Sequence, residues 1–220
     1  MVTKKTSRKV KYLAAGVEDF QPGSQRKVLR NKLSLVRVRE LEDAELAGYM
    51  EAEKALIKRF TADHKFTVED IDHIHRLFLG KIYDWAGRHR EVNLSKDDFP
   101  FASAMAIPSA LKDFEQNILS IYTPCNPGEL ENIAYAIAIV HVEFLLIHPY
   151  REGNGRTARL LATLMAYQAG MPGLDFGFIG SRGKSFNEYV TAIQAGMDRK
   201  YEAMQKIILK AIKRALKRTA

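Results

Sequence analysis

The chain has 220 residues, of which 46% are hydrophobic and 27% charged, and its formal net charge is +8. That length suits one domain with a real core, and the hydrophobic share excludes wholesale disorder. The lone cysteine, Cys125, excludes a disulfide scaffold and fits a reducing compartment.

No His or Cys stands at a zinc spacing around Cys125, which reads as a half-buried turn residue. No apolar run is expected to reach transmembrane length. The start (Met1 to Lys5) is charged but has no apolar core behind it, so no secretory signal is expected and a cytoplasmic setting is. Much of the positive excess sits at the two ends, in Lys4, Lys5, Arg8, Lys9 and Lys11, then in Lys206, Lys210, Lys213, Arg214, Lys217 and Arg218. Such ends can meet nucleic acid, an acidic partner or anionic lipid. No aromatic residues interleave them, so they read as solvated helix faces and a loose tail, with neither nucleic acid nor membrane as the expected partner.

Residues 1–27 read as a basic irregular arm with a turn at Gln21-Pro22-Gly23-Ser24. Val28 to Leu35 reads as a short helix or an extended arm. Leu41 to Phe60 carries Leu46, Met50, Ala55, Leu56 and Phe60 at roughly helical spacing, which predicts an amphipathic helix. Thr67-Val68-Glu69-Asp70 opens the next helix as a capping pattern, with Ile71, Ile74, His75, Phe78 and Leu79 on its apolar face. His73 and His75 are two apart and share no helix face, so they read as packing or surface residues rather than metal ligands. Glu91 to Ser95 alternates like a strand, and Phe99 to Ala102 reads as its return partner across Asp97-Asp98. A helix from Pro108 to Tyr122 and a loop over Thr123 to Gly128 follow. Two apolar helical runs come next, Ile133 to Ile147 and Leu160 to Gln168. After the break at Met171-Pro172-Gly173, one long helix is expected from Ser185 to about Ala215. The fold class is all-α, a helical bundle with a small β-hairpin.

Between the two apolar runs lies His148-Pro149-Tyr150-Arg151-Glu152-Gly153-Asn154-Gly155-Arg156-Thr157-Ala158-Arg159. Proline pushes His148 out of the α region and ends the first helix. Gly153-Asn154-Gly155 can take positive φ and turn successive N–H groups into one concavity, an anion nest. The helix restarting near Arg156 adds its unpaired N–H groups and positive dipole end. Arg156 and Arg159, three apart, share a face and suit phosphate oxygens. Glu152 beside an anion site makes sense as a Mg²⁺ ligand, since that ion takes a carboxylate or two plus substrate phosphates. His148 titrates near neutral pH and can take a proton from an attacking hydroxyl. A plain helix–loop–helix turn with solvated charges explains any two or three of these residues but not the whole set.

The segment resembles the signature of the Fic (filamentation induced by cAMP) family, His-Pro-Phe-x-Asp/Glu-Gly-Asn-Gly-Arg-x-x-Arg, with Tyr150 at the phenylalanine position. The tyrosine keeps the ring and adds a hydroxyl that needs a partner. Ile82 to Arg88 and Val92 to Lys96 resemble the approach to the family's flap, and Val28-Leu29-Lys32-Leu33 an N-terminal element, so the resemblance spans 28–205, with 206–220 a basic helix end. It implies a Fic-type domain that transfers AMP from ATP to a Tyr, Thr or Ser hydroxyl of a target protein. By it, His148 is the base and Glu152 holds Mg²⁺. Gly153, Asn154 and Gly155 form the anion hole, and Arg156 and Arg159 meet the phosphates. Leu94, Ser95, Lys96 and Asp97 cover the nucleotide and dock the target segment, which an open strand edge can do with little sequence demand. Asn187 and Tyr189 line the adenine pocket, with core packing the alternative for Tyr189. Gly155, where a phosphorylating branch of the fold carries lysine, favours nucleotidyl transfer.

Many family members are held off by a Ser/Thr-x-x-x-Glu helix. No glutamate here has Ser or Thr four residues before it. The resemblance therefore implies a toxin restrained by a separate antitoxin that supplies the glutamate. The alternatives are transfer of another nucleotide or group by the same fold, a Fic domain of a secreted effector, and a non-catalytic basic regulator.

Overall fold

The computed structural model describes residues 19–96 and 99–219, and these form an all-α domain with one two-stranded hairpin. The helices are α1 (Val38–Arg59), α2 (Val68–Leu79), α3 (Ile107–Phe114), α4 (Ser120–Tyr122), α5 (Leu130–Ile147), α6 (Asn154–Gln168), α7 (Lys184–Gln194) and α8 (Glu202–Thr219). A π-helical stretch, Glu115–Leu119, joins α3 to α4, so the predicted helix from Pro108 to Tyr122 is present with a bulge in its middle.

α5 is the axis. It is 18 residues long and apolar enough, by length and composition, to cross a membrane, which corrects the expectation that no run reaches that size. Its side chains instead fill the core: Ile133, Ala134, Ile137, Ala138, Val140, Val142, Phe144 and Leu145 are all buried. A helix that is apolar nearly all round has to be wrapped by other elements, and α3, α6, α7 and α8 do so. α2 begins at the predicted capping box: the Thr67 side chain accepts from Asp70 N–H, and the Asp70 carboxylate accepts from Thr67 N–H. Its apolar face packs on α1 and α6.

Four expectations need correction. The single long helix from Ser185 to Ala215 is two helices. Gly196 presses on Val142 so closely that a Cβ there would sit 2.2 Å from Cγ1. Arg199 is left-handed (φ 56°), and the chain reverses before α8 lies along α5. The hairpin strands are shorter than the alternation implied, Ser95–Lys96 (β1) against Phe99–Pro100 (β2), with Ser95 opposite Pro100 and Lys96 opposite Phe99. Residues 91–94 form no strand. Cys125 is fully buried, with burial pushing its thiol up to about 11, and its N–H donates to Gln168 Oε1. Val28 to Leu35 is neither a helix nor an extended arm throughout: an isolated bridge pairs Phe20 with Leu29, a turn falls at Lys32 and Leu33, and Ser34 is left-handed (φ 55°).

Candidate active site

The α5–α6 junction carries the site. His148 caps α5 in the left-handed region (φ 53°, ψ 57°), a conformation that costs a non-glycine residue energy unless its surroundings impose it. Arg90 imposes it. This guanidinium, 5% exposed, donates to the carbonyls of His148 (2.8 Å), Val92 (2.6 Å), Ala102 (2.6 Å) and Ile147 (3.3 Å). It thereby satisfies carbonyls that α5 leaves at its end and puts a cation at the negative end of the helix dipole. The backbone N–H of Arg90 also donates to the Pro149 carbonyl.

The His148 ring stacks on Phe101 (centroids 3.7 Å apart, 14°). Its Nδ1 lies 3.2 Å from the Leu145 carbonyl, which fixes the proton on Nδ1 and leaves Nε2 as the basic nitrogen. His148 lines a cavity of about 940 Å³ together with Glu152, Gly153, Gly155, Arg156 and Arg159 on one side and Lys96, Phe101, Phe186, Asn187 and Tyr189 on the other.

The loop is pinned from beneath. Gly153 has φ 86°, and a Cβ there would lie 2.7 Å from Leu79 Cδ1, so both conformation and space demand glycine. The Asn154 side chain is turned inward, accepting from Tyr150 N–H (2.9 Å) and donating to the Tyr150 carbonyl (2.7 Å). Its contribution to an anion is therefore its backbone N–H at the head of α6, while the amide clamps the loop. His75, which reads in the sequence as packing or surface, holds the same loop: Nε2–H donates to the Glu152 carbonyl (3.0 Å) and Nδ1 accepts from Gly87 N–H (2.8 Å). Burial lowers its pKa to about 4, so it stays neutral. The Tyr150 ring stacks on His75 (3.7 Å, 19°), and its hydroxyl donates to Asp72 (2.6 Å), the partner the substituted tyrosine needed.

The two arginines differ in state. Arg156 donates to Glu45 of α1 (2.8 Å), sits 3.5 Å from Glu152, and lies over the Phe78 ring. Glu45, only 6% exposed, also accepts from the Tyr83 hydroxyl (2.7 Å). Arg156 thus lines the cavity already neutralised by carboxylates. Arg159 is different: its buried Nε has no hydrogen-bond partner. A buried orphan donor on a cation at an anion-shaped concavity suits a ligand oxygen.

Sequence reading missed Glu45, Tyr83, His75 and Arg90. None of their roles left a local signal, because the contacts that define them span dozens of residues: 111 from Glu45 to Arg156, 77 from His75 to Glu152 and 58 from Arg90 to His148.

The flap residues fall differently from their shared assignment. Leu94 is buried and its carbonyl accepts from Phe101 N–H (3.1 Å), so it anchors the hairpin rather than offering an edge. Ser95 and Lys96 form β1, and Lys96 reaches the Phe186 ring of α7 (4.3 Å) across the cavity. Asp97 lies outside the described residues. Asn187 and Tyr189 both line the cavity, and the hydroxyl of Tyr189, 2.7 Å from His141 Nε2, is also tied to the core.

Among the described residues, no group of three or more His, Cys, Asp or Glu side chains could hold a metal. Glu152, with its carboxylate accepting from Gly153 N–H (3.0 Å), is a single carboxylate beside the glycine turn. That donor set fits Mg²⁺ completed by substrate phosphates and not an all-protein cage.

Fold and site together define a helical domain built around a glycine turn at the head of α6, with a histidine at the rim of the cavity. Residues 65–166 match the Fic/DOC family model, and the chain carries a domain of that family. It is 32% identical over 155 residues to the protein adenylyltransferase Fic of Nematostella vectensis, covering 67% of this chain and 34% of that protein. It is 30% identical over 112 residues to the protein adenylyltransferase VbhT of Bartonella schoenbuchensis, covering 51% and 23%. The probable protein adenylyltransferase Fic of Escherichia coli is 26% identical over 197 residues, covering 86% and 89%. The chain spans about a third or less of the length of the first two relatives. Among solved structures, the N-terminal Fic domain of Bep8, a VirB-translocated effector of Bartonella sp. 1-1C, superposes with a TM-score of 0.71 at 20% identity, covering 90% of this chain and 96% of that one. BepC of Bartonella tribocorum, solved with bound AMPPNP, gives 0.69 at 20%, covering 90% and 98%. These last two show the shared fold.

Proposed function

We propose that this chain transfers AMP from ATP to a hydroxyl side chain of a target protein and releases pyrophosphate. The observation that carries the reading is the convergence, on one cavity, of the His148 ring with its basic Nε2, the Gly153–Gly155 turn at the head of α6, and the buried orphan Nε of Arg159. The names of the relatives from Nematostella and Bartonella, both protein adenylyltransferases, support the same chemistry.

In this reading the N–H groups at the start of α6 and the Arg159 guanidinium take the phosphate oxygens. Glu152 holds Mg²⁺, which when bound neutralises phosphate charge. His148 Nε2 accepts the proton of the target hydroxyl as its oxygen attacks the α-phosphorus, and the bond to the bridging oxygen of pyrophosphate breaks. Arg90 keeps that imidazole in place through the backbone. The β1–β2 hairpin, with Lys96 over the cavity, is the element that meets the target.

The test is incubation of the chain with Mg²⁺, α-labelled ATP and a cell lysate. A labelled protein band that vanishes in His148→Ala is the expected result. Label arriving only from γ-labelled ATP would mean phosphoryl transfer and overturn the reading.

We further propose that the chain is the toxin of a bacterial toxin–antitoxin pair acting in the cytoplasm, its missing glutamate supplied by a separate small protein. The absence of any Ser/Thr-x-x-x-Glu spacing supports this. Expression alone is expected to arrest growth, and His148→Ala to relieve the arrest; equal, healthy growth of both strains overturns it. The likeness to VirB-translocated Bartonella effectors favours a second reading, in which the same domain acts after delivery into a host cell.

A further inference from the structure

His141 lies seven residues before His148, on α5, and is 1% exposed. Nothing in the transfer chemistry uses it, yet it touches three of the groups that surround Arg159. Its Nδ1 is 3.2 Å from the carbonyl of Ala158, the residue before Arg159. A carbonyl only accepts, so Nδ1 carries the proton and Nε2 must be an acceptor. The Tyr189 hydroxyl, 2.7 Å away, donates to that Nε2. The imidazole also stacks on Phe176 (centroids 6.0 Å apart, 18°). Those same two rings flank the arginine: the Arg159 Cζ lies 5.4 Å from the Phe176 centroid and 5.6 Å from that of Tyr189. The ring is neutral, since burial, with Arg159 adding to it, lowers its pKa to about 3. It therefore adds no like charge beside the guanidinium.

We propose that His141 is a positioning residue for Arg159, holding Tyr189, Phe176 and the Ala158 peptide so that the guanidinium is fixed where it meets the nucleotide's phosphates. Tyr189 then serves the phosphate end of the cavity through Arg159, and not the adenine end. A cation held between two rings with an orphan buried Nε has few alternative rotamers, so the ligand need not order it on binding. The inference rests on the nucleotide-binding reading above and predicts a contribution confined to phosphate recognition.

The test is calorimetric binding of ATP and of adenosine to the full chain with Mg²⁺ present, comparing wild type with His141→Leu and His141→Gln. Gln can present an amide oxygen to the Tyr189 hydroxyl where Nε2 was; Leu cannot. His141→Leu is expected to weaken ATP about tenfold, the scale of one charge-assisted contact, with adenosine changed less than about twofold. His141→Gln recovers most of the loss. If His141→Leu unfolds the chain, Tyr189→Phe is the replacement and carries the same expectation. Equal weakening of ATP and adenosine would make the histidine a general packing residue and overturn the inference, as would unchanged ATP binding. Wild type that binds no ATP at all sinks the nucleotide-binding reading itself, a different and separable outcome.

Discussion

Removing the Arg90 guanidinium tests the idea that backbone capture places the base. In Arg90→Met the stem is kept and four carbonyls lose their donor: His148, Val92, Ala102 and Ile147. At about 1.5 kcal/mol per bond to a charged group the four would sum to roughly 6 kcal/mol, but partial rehydration and non-additivity reduce this to about 3 kcal/mol. For a chain of this size that is about 6–12 °C in Tm, read by calorimetry. The left-handed His148 also loses what imposes it, so the imidazole shifts by an ångström or so and transfer falls about a hundredfold in the α-labelled ATP assay. Arg90→Lys, with a point charge in place of a planar fork, is expected to fall between the two. A variant Arg90→Met that melts within about 2 °C of wild type and transfers label at a normal rate would refute the reasoning, because a change of that size corresponds to less than about 1 kcal/mol.

Gly153→Ala combines a positive φ with a Cβ 2.7 Å from Leu79 Cδ1, so about 2–3 kcal/mol of stability is expected to go, measured by urea unfolding, with Gly128→Ala, where a Cβ meets nothing, as the neutral control. Glu45→Gln leaves one amide oxygen where two carboxylate oxygens served Arg156 and the Tyr83 hydroxyl, and breaks a buried charge pair, costing about 3 kcal/mol and lowering Tm although Glu45 lies outside the signature; an unchanged Tm would count against that pairing. Stability should also depend on pH. His75 and His141 have folded pKa values of about 4 and about 3 against 6.5 for an unperturbed histidine. Between 6.5 and about 4 the unfolded chain therefore binds protons that the folded chain does not, and stability falls as pH falls through that window. Urea midpoints measured from pH 7 to pH 4 check this, and a slope left unflattened in His75→Gln would exclude His75 as a source.

Much of this molecule can be read locally. Thr67 and Asp70 announce a helix start because a capping box needs only residues three apart. His148-Pro149 announces a helix end because the steric clash is with the next residue. Gly153-Asn154-Gly155 announces a turn between two helices, and the family signature around it makes the chemistry legible. The overreach came where a local pattern continued past a tertiary interruption. Ser185 to Ala215 has helical periodicity on both sides of Gly196, and only the closeness of α5 at Val142 explains why the chain breaks there.

What the linear order of residues determined by itself was which side chains stand next to one another along the backbone: His148, Glu152, the Gly153-Asn154-Gly155 turn and the two arginines, all within twelve residues. Only the tertiary structure decided what each of them is already bound to. Glu45, 111 residues from Arg156 in the chain, occupies one arginine; Arg90, 58 residues from His148, holds the backbone of that histidine. Tyr189, 48 residues from His141, flanks the other arginine. Such pairings depend on which buried polar groups happen to face one another once α1, α2, α5 and α7 pack, and burial then forces each donor to find an acceptor. Local spacing carries no trace of that requirement.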